Sequence, residues 1–121
     1  MFYKVDKITD ESIIEYFACK LKELRVKLGT TNTYYALDSP YHLENEDYFA
    51  VCKKTATKYV TDVYRYDDVV EEAKDFVKNK NDDKFGRFID GFLLNDINYK
   101  VEFVAVSEDD ITIVSLIPIE Q

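Results

Sequence analysis

His42 is the chain's one histidine, so no metal set of two or more imidazoles can be built, and any serine or cysteine hydrolase would need it as base. It falls between Tyr41 and Leu43 in an expected loop. The candidate thiols are Cys19, within a helical pattern, and Cys52, within a strand pattern. Neither has a neighbouring signature that activates a thiolate, so both are expected to be buried, reduced and structural. Carboxylates form four clusters: Glu44, Glu46 and Asp47; Asp67, Asp68, Glu71 and Glu72; Asp82 and Asp83; Glu108, Asp109 and Asp110. None follows the twelve-residue calcium loop with its central glycine and closing glutamate, and three coincide with helix starts or turns, where acids are expected in any case. The glycines, Gly29, Gly86 and Gly91, build neither a dinucleotide fingerprint nor a P-loop. No catalytic residue, cofactor or metal is therefore expected.

Ten tyrosines without a tryptophan are the unusual feature of the composition, and seven of them are Tyr34, Tyr35, Tyr41, Tyr48, Tyr59, Tyr64 and Tyr66. A rigid ring with a polar tip suits protein interfaces, and neighbouring acids steer it toward a basic surface. The segment Tyr41, Glu44, Glu46, Asp47 and Tyr48 is accordingly the first candidate contact surface, an exposed acidic loop whose entry Pro40 fixes and whose rings serve as anchors. The second is Asp67, Asp68, Glu71 and Glu72. A net charge of -8 and a pI near 4.6 argue against direct nucleic-acid binding and for a protein partner with a basic surface. Phe85-Gly86-Arg87-Phe88 resembles an RNA-binding motif, but acid-rich surroundings and the missing second aromatic motif assign it to packing.

The elements that position these residues can be read from periodicity. Thr9 or Asp10 caps a helix whose apolar residues Ile13, Ile14, Phe17, Leu21, Leu24 and Leu28 recur at three- and four-residue steps before Gly29. Thr33 to Leu37 is a short strand stopped by Asp38-Ser39-Pro40. Tyr48 to Lys53 and Lys58 to Tyr66 form a hairpin, and Asp67 or Asp68 opens a second helix ended by Asn79 to Asp83. Lys84 to Leu94 mixes helical spacing with two glycines; a short helix from about Asp83 to Asp90 and then a short strand is expected. Tyr99 to Val106 and Ile111 to Ile117 are paired strands, the latter expected to be central and covered on both faces.

These 121 residues fit one α+β domain, residues 1–121, with an antiparallel sheet of about five to six strands against an N-terminal helix and one or two central helices. No apolar run reaches membrane-spanning length and the N-terminus lacks a signal-peptide pattern, so a cytoplasmic location is expected. In size and charge alone, the chain resembles inhibitors that bacteriophages and mobile elements use against host defence nucleases, including CRISPR nucleases, and immunity proteins that neutralise toxins. That resemblance covers no motif and implies a non-enzymatic inhibitor occluding a basic, nucleic-acid-binding surface. The alternatives are a small enzyme or ligand-binding domain with an unfamiliar site at Tyr41 to Asp47, and a structural oligomer subunit joined through edge strands.

Overall fold

The computed structural model describes residues 3–29, 33–79 and 85–119. Its elements run α1 (Glu11–Leu28), β1 (Tyr34–Leu43), β2 (Glu46–Lys54), β3 (Tyr59–Arg65), α2 (Tyr66–Asn79), β4 (Gly86–Leu94), β5 (Ile97–Ser107) and β6 (Asp110–Pro118). The α+β class stands, but the single sheet of five to six strands does not. Two antiparallel three-stranded sheets form, β1-β2-β3 and β4-β5-β6. The division has a local cause: each sheet is a meander of short hairpins, and α2 follows β3 without an intervening residue, carrying the chain off that sheet before β4 begins. The edges of β1 and β6 come within 8 Å between Cα atoms, yet share no ladder.

Asp10 caps α1, its carboxylate accepting from the Ser12 amide at 3.0 Å and the Ser12 hydroxyl at 2.6 Å, bonds that hold it below the ordinary aspartate range. Gly29 closes the helix at φ 60, the left-handed conformation that a residue without Cβ adopts at least cost. Phe17 and Leu21 are buried, whereas Leu28 is 61% exposed, so the apolar series is longer than the buried face.

The β1-β2-β3 sheet is the middle layer. Tyr35, Tyr48, Ala50, Cys52 and Val63 face α1, while Phe49, Val51 and Tyr64 join the inner face of β4-β5-β6 and the buried side of α2. The strand covered on both faces is thus β2, buried continuously from Tyr48 to Cys52. It is not the C-terminal strand: β6 lies at an edge, with Ile111 and Ile113 buried and Thr112 exposed between them. Its extra residue, Val114, sits in a register shift, and the Ile113 N–H donates to the Tyr66 hydroxyl at 3.0 Å.

Two strand boundaries also differ from expectation. Pro40 does not stop β1; it lies in a bulge between Leu37, opposite Ala50, and Tyr41, opposite Tyr48, where no ladder N–H is required. The helix expected from Asp83 to Asp90 is absent from the described part of that span, because Gly86 to Leu94 pairs along its full length with Ile97 to Ala105. Asp82 and Asp83 lie outside the described residues. Phe88 and Phe92 are four apart, which satisfies a strand face as well as a helix face, and partners on β5 decide between them.

The β4–β5 turn anchors the N-terminal segment. Asn95 and Asp96 have φ 49 and 66, the left-handed pair of a type I′ hairpin. The Asn95 amide group accepts from the Val5 N–H at 3.2 Å and donates to the Val5 carbonyl at 3.1 Å, while its backbone N–H donates to the Tyr3 carbonyl at 2.8 Å. Asn95→Ala is expected to lower unfolding free energy by about 2 kcal/mol, from two lost bonds and a residue less suited to left-handed backbone. Urea denaturation measures the loss, and amide exchange at Val5 should rise with it.

Candidate functional site

Antiparallel pairing of β2 with β3 places the first residues of β2 beside the last of β3, with Tyr48 opposite Arg65. Since α2 starts at Tyr66, the acids of the β1–β2 hairpin and those of the α2 N-terminus share one end of the molecule. Arg65 joins them, its guanidinium ion-paired with Glu46 and lining a shallow depression with Asp6, Asp10 and Asp68. Asp68 also borders a second depression with Lys4, Asp6, Glu71 and Glu72.

Several of these charges are already matched. Asp47 lies 2.7 Å from His42 Nδ1, and Glu71 accepts from Lys74 at 3.0 Å, a bond that raises the Lys74 pKa above the ordinary lysine range. Lys7 is 3.4 Å from Asp62, the one buried charged residue among those described, which also faces Lys53 at 3.8 Å. Among the described residues no cation pairs with Glu44, Asp67, Asp68 or Glu72. The field of this end is therefore negative, and it is set by four unmatched carboxylates together with Asp6.

The first candidate segment is not an open loop. Tyr41 to Leu43 completes β1 and Glu46 to Tyr48 begins β2, with only Glu44 and Asn45 in the turn and Glu44 at φ 58. Glu44, Glu46 and Asp47 are exposed as expected, but the tyrosines are not exposed anchors. Tyr48 is 5% exposed and packs on Phe17, with its hydroxyl donating to Glu46 at 3.0 Å; burial first, then that carboxylate, raises its pKa. Tyr41 is half-buried, its ring against Phe17 and its hydroxyl 2.6 Å from that of Tyr16. Their role is to fix the hairpin on α1.

The second cluster lies on α2, which begins at Tyr66, one residue before the expected start. Asp67, Asp68 and Glu71 are exposed and Glu72 is half-buried on the first turns of α2. Sequence reading missed Asp6 and Asp10, which reach this end only because Ile8 donates to the Val63 carbonyl at 2.8 Å and Lys7 bridges to Tyr64. No spacing rule links positions so far apart.

Catalytic arrangements gain little from the geometry. His42 pairs with Asp47 in the open, whereas Cys52 sits opposite Tyr35, seven positions away along β1, about 20 Å at strand rise. Cys52 is buried and burial raises its thiol pKa; Cys19, expected to be buried, is exposed on the outer side of α1. Its apolar neighbours in sequence suggested burial, but at two residues from both Phe17 and Leu21 it does not share their face. Among the described residues no three His, Cys, Asp or Glu side chains converge as a metal set, and no helix is long and apolar enough to cross a membrane. No family model, curated protein or solved structure matches the chain.

Proposed function

We propose that the chain is a non-enzymatic binding protein whose acidic end docks on a basic surface of a larger protein. The observation that carries this reading is the register of β2 on β3, which merges two carboxylate clusters distant in sequence into one negative face around Arg65. Carboxylates displayed in this way can take the place of phosphates on a nucleic-acid-binding surface, and the outcome would be inhibition by occlusion, as in anti-defence inhibitors and immunity proteins. Recognition then rests on charge with a rigid backbone beneath it, and tyrosine anchors play no part in it.

The immobilised chain should capture such a partner from a host lysate, with identification by mass spectrometry and association rates measured on the purified pair. Glu44→Lys with Asp47→Lys, and separately Asp67→Asn with Asp68→Asn, should each slow association about tenfold while moving stability by no more than about 1 kcal/mol. Glu46 is left intact because it holds Arg65. The wild-type on-rate should fall steeply with added salt, since screening at physiological strength acts within about 8 Å. Unchanged rates in both variants, or a rate flat in salt, would discard the acidic face as the contact.

A further inference from the structure

We propose that the free edge of β4 pairs antiparallel with β4 of a second copy of this chain, in a single register centred on Ile89. Among the described residues the edge is open from Arg87 to Ile89. Tyr3 donates to the Leu93 carbonyl at 2.9 Å and accepts from Asn95, so the odd-numbered residues of β4 direct their N–H and C=O groups away from β5. Gly91 agrees, its N–H donating to the carboxylate of adjacent Asp90 at 2.8 Å. Among the described residues nothing bonds to the outward backbone groups of Arg87 and Ile89.

The face beside this edge is apolar and bare. Ile89 is 56% exposed on the outer side of the sheet, opposite Glu102, and Phe85 and Val106, which adjoin the Gly86–Ala105 pair in sequence, are 55% and 71% exposed. An edge that carries unpaired groups and an exposed apolar residue is a template for another strand.

The residues select the second copy and its register. Centring the two-fold on Ile89 gives Ile89 opposite Ile89, with both its N–H and C=O satisfied, and Arg87 opposite Gly91, whose missing side chain leaves room for the guanidinium stem. Gly91's N–H then exchanges the Asp90 carboxylate for the carbonyl of Arg87 in the other copy. Moving the centre to Arg87 opposes two arginines, moving it to Gly91 requires the Leu93 carbonyl that Tyr3 already occupies, and centring on Phe88 or Asp90 leaves two hydrogen-bonded pairs within β4 in place of three. The result is a continuous six-stranded sheet across the two-fold. The paired stretch is short, so the dimer is weak and reversible. Glu108, Asp109 and Asp110 lie at the β5–β6 turn of this same sheet and pair with no cation among the described residues, so the charge of -8 per copy opposes association and weakens the dimer at low salt.

Sedimentation velocity of the full chain from about 10 µM to about 1 mM tests this. The weight-average coefficient should climb toward that of a dimer, and more so in high salt, where repulsion is screened. Ile89→Lys should stay monomeric, and so should Ile89→Pro, which gives up an N–H that β5 does not use. Val26→Lys, at a more exposed apolar position on α1, should dimerise as the wild type does. In the unmodified protein, amide exchange at Arg87 and Ile89 should slow about tenfold or more as dimer forms, a readout independent of any variant's folding. A wild type monomeric throughout, a dimer that survives both Ile89 substitutions, or protection at Arg87 and Ile89 that ignores concentration would each overturn the proposal.

Discussion

Phe17→Ala is expected to lower the unfolding free energy by about 3–5 kcal/mol, most of what holds a small domain folded. Phe17 has no exposed surface, and its ring meets those of Tyr16, Tyr41 and Tyr48 edge-on at 5.4, 5.4 and 5.5 Å between centroids. Truncation therefore opens a cavity bounded by stiff rings on both α1 and the sheet, which collapse poorly around it. Leu28→Ala, from the same apolar series, should stay within about 0.5 kcal/mol because Leu28 is mostly exposed. Urea denaturation of both variants decides the matter. Comparable losses would mean that α1 lies on the sheet through a different face.

The contrast between those two positions shows what periodicity can give. Spacing identifies the side of α1 that turns inward, but the extent of burial depends on where the sheet lies beneath it. Turn chemistry is local: Asn95-Asp96 supplies its own left-handed backbone, and Thr55 closes the β2–β3 turn with bonds to Lys58 at 2.7 and 2.8 Å. Pro40 misled for the complementary reason. Its lost N–H forbids a regular ladder, and only the partner strand reveals that the ladder is bulged there.

Exposure failed where alternation was absent. In β2 every side chain from Tyr48 to Cys52 is buried, so the assignment of one face to water had nothing to rest on, and Tyr48 was placed outside. The composition of the candidate site was readable while its extent was not. Each acidic cluster stands out in sequence, yet their union depends on Tyr48 lying opposite Arg65 and on Ile8 reaching Val63. Such long-range register is fixed by packing against α1 and α2, which no window of neighbouring residues contains.

The same packing makes the protein expected to fail at alkaline pH. Tyr64 and Tyr99 are fully buried where the two sheets meet, close to one another and to Asn95, but neither hydroxyl meets hydrogen-bond geometry with a described residue. Burial, reinforced by the negative charge of Asp62, pushes Tyr64 up to about 12; burial and then the neighbouring Tyr64 drive Tyr99 in the same direction. Unfolded tyrosine ionises near pH 10, so above that point the unfolded chain releases protons that the folded chain retains. Stability from this source is complete below about pH 10 and declines as pH rises through the folded value, by about 2–3 kcal/mol for Tyr64 alone. Tyr99 adds to the loss with the same sign. Urea midpoints should accordingly be level between about pH 7 and 9 and drop steeply beyond 10, with tyrosinate absorbance of this pair appearing only as the chain unfolds. Tyr64→Phe with Tyr99→Phe should flatten the alkaline decline and, by removing two hydroxyls that gain little from burial, raise stability at neutral pH by about 1 kcal/mol. A double variant weaker than wild type at pH 7, with the alkaline slope unchanged, would show that the hydroxyls are bonded in the folded protein and that other groups govern its behaviour in base.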